Sequence, residues 1–243
     1  DDIGLADLSL GLPTAVQSAE NYDDKLLSFF ARFNYGFKDK YLFTASVRAD
    51  GSSKFGKNNK WGYFPAFSAA WRLGEEEFIK NLNIFSDLKV RLGYGMAGNN
   101  RIDSYLSLAV LGSVTYPNGD STQPGYVSKQ IPNPDLKWEA NKTFNFGLDF
   151  GFFNNKLTGA MNYYYNQTEE LLITKALPPS AGLNNPILNV GKIRNSGVEV
   201  EINWADSKGG FDYNIGMNFS TTKNKVVELA DKGQVLYGEG LKY

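Results

Sequence analysis

The sequence contains neither histidine nor cysteine in its 243 residues. Their absence excludes Ser-His and Cys-His catalysis, imidazole or thiolate metal sites, iron–sulfur clusters and disulfides. Charges nearly cancel, with 25 Lys and Arg against 26 Asp and Glu, so bulk charge attracts neither nucleic acid nor an anionic membrane surface. No run of about 18 apolar residues exists to form a transmembrane helix. We therefore expect no cofactor, no metal site and no nucleic-acid partner.

Aromatic residues are abundant: 17 Phe, 14 Tyr and 4 Trp make up 14% of the chain, alongside 25 Gly. The mean hydropathy is nevertheless only -0.35. Such a composition indicates a β-rich protein in which apolar and polar residues alternate. Neither end shows a signal peptide or the pattern of a complete strand or helix, so we expect the chain to be part of a longer protein.

Strict alternation of apolar and polar residues predicts eight strands of about nine residues or fewer. On one face of every strand no position is charged or carries Ser, Thr, Asn or Gln, whereas eight intervening positions are charged. The predicted strands cover 29–37, 41–49, 63–71, 88–96, 144–150, 157–165, 198–204 and 211–219. A soluble β-sandwich would alternate in the same way, so alternation alone does not separate it from a membrane barrel.

Loop lengths favour the barrel. Three connections at one end of the strands are short, at 38–40, 151–156 and 205–210. Those at the other end are long, at 50–62, 97–138 and 166–196. Short turns at one end and long loops at the other are typical of transmembrane β-barrels.

The short-turn end has two further features. Six of the eight strands have an aromatic residue as their last apolar-face residue there, as an interfacial girdle requires: Phe37, Tyr41, Trp71, Phe150, Trp204 and Phe211. Its one long connection begins with Glu75, Glu76 and Glu77, which we interpret as the solvated start of a short amphipathic helix rather than a metal site.

The sequence thus predicts an all-β fold: an antiparallel transmembrane β-barrel, with about eight strands forming an arc of a larger barrel. An open arc leaves edge N–H and C=O groups unpaired, which lipid does not tolerate, so further strands must complete it. We assign residues 1–24 to a leading loop segment and 25–243 to the partial barrel. Pro65 lacks the amide proton that a central strand needs, and we expect a bulge or kink there.

Six segments carry a family resemblance: YLFTASVRADGSSKF at 41–55, WGYFPAFSAAW at 61–71, VRLGYGMAGN at 90–99, NPDLKWE at 133–139, NFGLDF at 145–150 and NVGKIRNSGVE at 189–199. Their order and spacing resemble the SusC/RagA family of TonB-linked outer-membrane transporters. The resemblance implies a barrel of about 22 strands, of which this chain is a middle-to-late arc.

The same resemblance implies partners and a location. Members of the family have an N-terminal plug and a TonB-contacting segment, neither of which is recognisable in this chain. They pair with a SusD-like surface lipoprotein and import glycans or peptides. They are typical of the Bacteroidota outer membrane, and their barrels contact its lipid.

Two groups of residues are candidates for function. Arg32, Arg48 and Arg91 lie on the predicted lumen face and could line a substrate path, or they could form ion pairs within the barrel wall. The long loops offer candidate contacts to substrate or lid protein: Asn99, Asn100, Tyr116, Tyr126 and Trp138.

Three alternatives remain open at this point. The chain could be a soluble or surface β-sandwich that binds carbohydrate, a passive porin, or an outer-membrane enzyme. The last is disfavoured because such enzymes rely on a histidine. The sequence therefore predicts a transporter wall and no catalytic residues.

Overall fold

A computed structural model describes residues 23–119 and 121–229. The strands, in chain order, are β1 (Leu26–Phe37), β2 (Tyr41–Ser52), β3 (Trp61–Trp71), β4 (Phe85–Asn99), β5 (Leu111–Asn118), β6 (Ser121–Ser128), β7 (Glu139–Phe152), β8 (Leu157–Glu169), β9 (Leu172–Thr174), β10 (Ile187–Asn189), β11 (Lys192–Lys208) and β12 (Phe211–Glu228). Short helical segments cover Leu73–Glu75, Glu77–Lys80 (α1) and Pro179–Ala181. Among the described residues, no helix is long and apolar enough to span a membrane.

Eight strands form one antiparallel sheet in the order β1-β2-β3-β4-β7-β8-β11-β12. All eight predicted strands are confirmed, and the sheet is an open arc, as expected of part of a larger barrel. The predicted lengths were wrong, because the strands contain 11 to 18 residues. The alternation stops where a strand leaves its apolar zone, but main-chain pairing continues: β12 stays paired with β11 through its polar segment 221–225.

The apolar face of the sheet is exposed. Phe29, Phe33 and Phe67 are 61%, 64% and 54% accessible, and no second large sheet packs on them in the part of the chain described. A β-sandwich would bury this face, so the sandwich alternative is wrong. Because a contiguous aromatic surface of this size requires an apolar surrounding, the arrangement defines a lipid face.

The aromatic residues at the short-turn end touch one another along the lipid face. Phe37 stacks on Tyr41 and Tyr41 on Trp71, with ring centroids 6.3 and 6.0 Å apart. Further along, Phe153 lies 6.1 Å from Trp204. Three of the six predicted girdle residues therefore stack on one another, and a fourth, Trp204, lies beside Phe153.

A short helical connection closes the short-turn end between β3 and β4. The predicted helix exists, but α1 is a single turn, and Glu76 precedes it in an extended conformation. Instead of facing solvent, the Glu76 carboxylate accepts hydrogen bonds from Tyr41 Oη at 2.7 Å, Lys40 Nζ at 3.0 Å and Trp71 Nε1 at 3.1 Å. These three donors lower the pKa of Glu76 to about 2.

Pro65 causes no bulge in the ladder between β2 and β3, where it pairs directly with Val47. Instead, the pairing of β3 with β4 begins only at Ala66 and Gly95. The prediction of a bulge was wrong: the missing amide proton is accommodated where the neighbouring ladder has already ended.

Residues of the long loops pack against Phe64 of β3 in a small core, which we call the loop core and which contains Phe55, Ile102, Leu136 and Trp138. Leu136 is fully buried, and the Trp138 ring lies 4.9 Å from Phe55 and 5.5 Å from Phe64. Two elements among these loops were not predicted from the sequence, the β5–β6 hairpin and the β9–β10 pair. Both are short and lack a continuous apolar face, so alternation did not reveal them.

Candidate functional site

The face opposite the lipid face carries the charged residues of the wall. Arg91 on β4 forms a bidentate ion pair with Asp149 on β7, with Nε–Oδ2 and Nη2–Oδ1 distances of 2.8 and 2.6 Å. The same Nη2 donates to Asn162 Oδ1 on β8 at 2.9 Å, and Lys89 Nζ lies 2.9 Å from Asp149. Three adjacent strands are thus joined by one polar network, which we call the wall network.

The wall network remains partly accessible, since the Arg91 side chain is 39% exposed and that of Asp149 is 21% exposed. Two cations share the Asp149 carboxylate, and Glu199 of β11 lies directly opposite Asn162 on the same face, so the network carries charges of both signs. A polar solute passing along this face therefore meets guanidinium and ammonium donors, which suit hydroxyl, carbonyl and carboxylate oxygens.

Arg48 has a local partner. Its Nε lies 2.6 Å from Oδ2 of the buried Asp50, and its guanidinium lies 5.6 Å from the Phe64 ring centroid. Asp50 lies two residues further along the same strand. The contact holds the guanidinium against the base of the loop core while leaving about half of the side chain, 47%, accessible.

Arg32 is the freest of the three arginines. Its guanidinium lies over the ring of Phe30 at 5.5 Å, and no carboxylate lies within 4 Å of it among the described residues. Arg32 is close to Arg48, because Arg48 pairs with Phe30, and Phe30 lies two residues before Arg32 on β1.

The three arginines do not form one site. Arg91 pairs with Ala70 on β3, and Ala70 pairs with Leu42 on β2, so Arg91 lies at the level of Leu42 along the strands. Arg48 lies six residues further along β2, about 20 Å towards the long loops at the rise of an extended strand. The structure therefore distributes them along the wall, with Arg32 and Arg48 near the loops and Arg91 deeper.

The loop candidates also have different surroundings. Asn99 donates through Nδ2 to Glu139 at 3.1 Å and accepts from the amide of Arg101 at 3.0 Å, so its amide group fixes the start of a loop. The main-chain carbonyl of Asn100 accepts the amide of Ile102. Trp138 is buried in the loop core and donates to the carbonyl of Lys60, so it packs the loops rather than presenting a surface.

Tyr116 and Tyr126 are exposed on the β5–β6 hairpin, at 51% and 53%. They lie on opposite faces of it, because Tyr126 pairs with Ser113, which is an odd number of residues from Tyr116. The Tyr116 ring lies over Gly125, where a Cβ would come within 3.1 Å of the ring. Only one of the two tyrosines at a time can face a given partner.

A lipid-facing antiparallel sheet with an inner wall network, short turns at one end and packed loops at the other defines an outer-membrane β-barrel wall. Comparison with known proteins specifies the class further. The chain belongs to the TonB dependent receptor-like, beta-barrel family, which matches residues 3–239.

Relatives of known type support this assignment. The chain is 38% identical to the TonB-dependent receptor SusC of Bacteroides thetaiotaomicron, over 88% of this chain and 22% of SusC. It is also 38% identical to the TonB-dependent receptor P3 of Formosa agariphila, over 95% of this chain and 23% of that protein. The chain therefore spans less than a quarter of the length of these relatives.

Solved structures agree with the relatives. The RagAB peptide transporter superposes with a TM-score of 0.74 at 33% identity, over 85% of this chain and 22% of that chain. The RagAB peptide importer in its open-open state gives a TM-score of 0.75 at 31% identity, over 88% of this chain and 23% of that chain. The SusC/RagA resemblance seen in the sequence is confirmed.

Proposed function

We propose that this chain forms a wall section of a TonB-dependent transporter that imports oligosaccharides or peptides. In this proposal a SusD-like surface lipoprotein delivers the substrate, and TonB acts through a plug outside this section. The similarity to SusC and to the RagAB peptide transporter supports the proposal. The organisms of SusC and of the P3 receptor support a Bacteroidota origin.

The observation that carries the proposal is the partly exposed wall network on the lumen side of the sheet. The donors of Arg91 and Lys89 border the lumen, beside the carboxylates of Asp149 and, on β11, of Glu199 and Glu201. Arg32 and Arg48 extend this polar lining towards the loops, with Arg48 paired to Asp50. We propose that the three arginines contact the moving substrate in succession, and that Asn99, Asn100, Tyr116 and Tyr126 belong to the loop surface near the lid protein.

The test uses the full-length parent transporter in cells that depend on it for an oligosaccharide or peptide mixture. Arg91→Ala leaves Asp149 paired with Lys89, so we expect a folded barrel, judged by heat-modifiable gel mobility, with reduced uptake. Lys156→Ala is the matched control, because it removes an ion pair of 2.7 Å with Asp206 at the short-turn end.

Loss of the folded barrel in Arg91→Ala would assign the arginine to wall stability, and unchanged uptake would remove it from the substrate path. Deletion of TonB separates the proposal from a passive porin. Uptake that continues without TonB would contradict energy-coupled transport.

A further inference from the structure

A row of polar residues crosses the lipid face at the long-loop end. Lys142 pairs with Gln167, Gln167 with Arg194, and Arg194 with Lys225. Directly paired residues of antiparallel strands share a face, and Lys142 lies two residues beyond the lipid-facing Phe144. We call Lys142, Gln167, Arg194 and Lys225 the basic row, because three of its four members are cations.

The level of the basic row coincides with the upper edge of the membrane. Lys142 lies ten residues along β7 from Phe152, and Arg194 lies ten residues along β11 from Trp204, both in the aromatic zone at the short-turn end. Ten residues span about 33 Å of strand, which is about 25 Å of height at a tilt of about 40°. This is the height of a barrel's apolar band, so the row lies at the headgroups of the outer leaflet.

Arg194 and Gln167 of the basic row both contact Tyr165, a residue of the lipid face. The Arg194 guanidinium lies 5.1 Å from the centroid of the Tyr165 ring, and its Nη2 donates to Gln167 Oε1 at 3.3 Å. Tyr165 Oη donates to the same Gln167 oxygen at 3.0 Å. A tyrosine with its ring in the apolar zone and its hydroxyl among polar groups is the usual arrangement at a membrane interface.

The charges of the row are not balanced within the described protein. Arg194 and Lys225 lie directly opposite each other, and like charges in that position repel. Neither has a carboxylate within 4 Å among the described residues. Lys142 and Lys192 share Glu169, at 2.5 and 3.4 Å. On this part of the face five cations meet two carboxylates: Lys142, Lys192, Arg194, Lys223 and Lys225 against Glu169 and Glu228.

We propose that the basic row binds the phosphate-bearing headgroup of an outer-leaflet lipid. A phosphate between Arg194 and Lys225 relieves their repulsion, and the planar guanidinium matches two phosphate oxygens. The Tyr165 ring beneath it contacts the start of the acyl region. The site faces away from the lumen, so it is separate from the substrate path.

The test measures lipid bound to the full-length detergent-solubilised barrel by native mass spectrometry. Three probes are compared: a phosphorylated outer-membrane glycolipid, the same glycolipid after enzymatic dephosphorylation, and inorganic phosphate. We expect retention of the phosphorylated lipid only. Arg194→Gln and Lys225→Gln should each weaken retention about fivefold, the effect of one basic residue beside an anionic lipid surface.

Lys208→Gln is the matched control, because Lys208 pairs with Phe211 on the same face of β11 at the opposite membrane boundary. It should leave retention unchanged. Equal retention of the dephosphorylated lipid, or an equal loss in the control, would overturn the proposal. Binding of inorganic phosphate as tight as that of the lipid would also overturn it, and the probe comparison on the unaltered protein does not depend on how the variants fold.

Discussion

At the scale of single residues, neighbouring positions on one strand face opposite media. On β7, Phe146 lies among lipid-facing aromatic and aliphatic residues, whereas Asn145 points to the lumen between Gly93 and Tyr164. Both side chains are exposed in the arc, so accessibility alone does not distinguish them. The two side chains differ in the medium around them. A charge introduced at each position should therefore change the free energy of unfolding by different amounts.

Phe146→Arg is therefore expected to cost about 2–4 kcal/mol, because it places a charge near the bilayer midplane. Asn145→Arg, one residue away, should cost little, because its side chain reaches water. The measurement is reversible unfolding of the full-length barrel in lipid vesicles. Similar costs for the two variants would show that the assigned faces are wrong.

Partners of single residues were only partly predictable. The alternation of β4 and β7 placed Arg91 and Asp149 on one face of the sheet. Asn162 could not be linked to Arg91 without the register between β7 and β8. Burial of Trp138 could not be predicted either, because its neighbours Phe55 and Phe64 come from distant segments.

At the scale of elements, alternation was sufficient to find the eight barrel strands because each has one apolar face that lipid demands. It failed for β5–β6 and β9–β10, since neither pair meets lipid and their residues carry no period-two signal. The outer ends of the barrel strands were not predicted either, so the predicted strands are too short. Beyond the lipid zone the main chain still gains hydrogen bonds, while the side chains no longer have to alternate.

The turn around Glu76 should give the short-turn end a measurable pH dependence. Its pKa of about 2 lies below the ordinary 4.5, so the folded protein favours the carboxylate. The resulting stability is fully present above about pH 4.5 and is lost as the pH falls through about 2. Glu76→Gln should therefore destabilise the barrel near neutral pH and make little difference near pH 2.

The measurement is the unfolding midpoint of the full-length barrel in detergent, compared between Glu76→Gln and the unaltered protein from neutral pH to about pH 2. Glu77→Gln is the control, because the Glu77 carboxylate contacts none of the three donors to Glu76. A constant difference between Glu76→Gln and the unaltered protein over the whole range would contradict the role assigned to the charge.

At the scale of the whole molecule, the arc can lie in lipid only as part of a closed wall. Strands β1 and β12 each have one unpaired edge among the described residues, which lipid does not tolerate. The relatives are more than four times as long as the matched regions, which leaves room for the further strands that such a wall needs.

The other conclusions depend on one assignment, that one face of this sheet meets lipid and the other meets water. Spin labels placed one at a time along residues 143–149 of β7 test it most directly, in the full-length barrel reconstituted into vesicles. Collisions with oxygen should peak at 144, 146 and 148, and collisions with a water-soluble nickel complex should peak at 143, 145, 147 and 149. Accessibilities that rise and fall together, or that show no period of two, would contradict it.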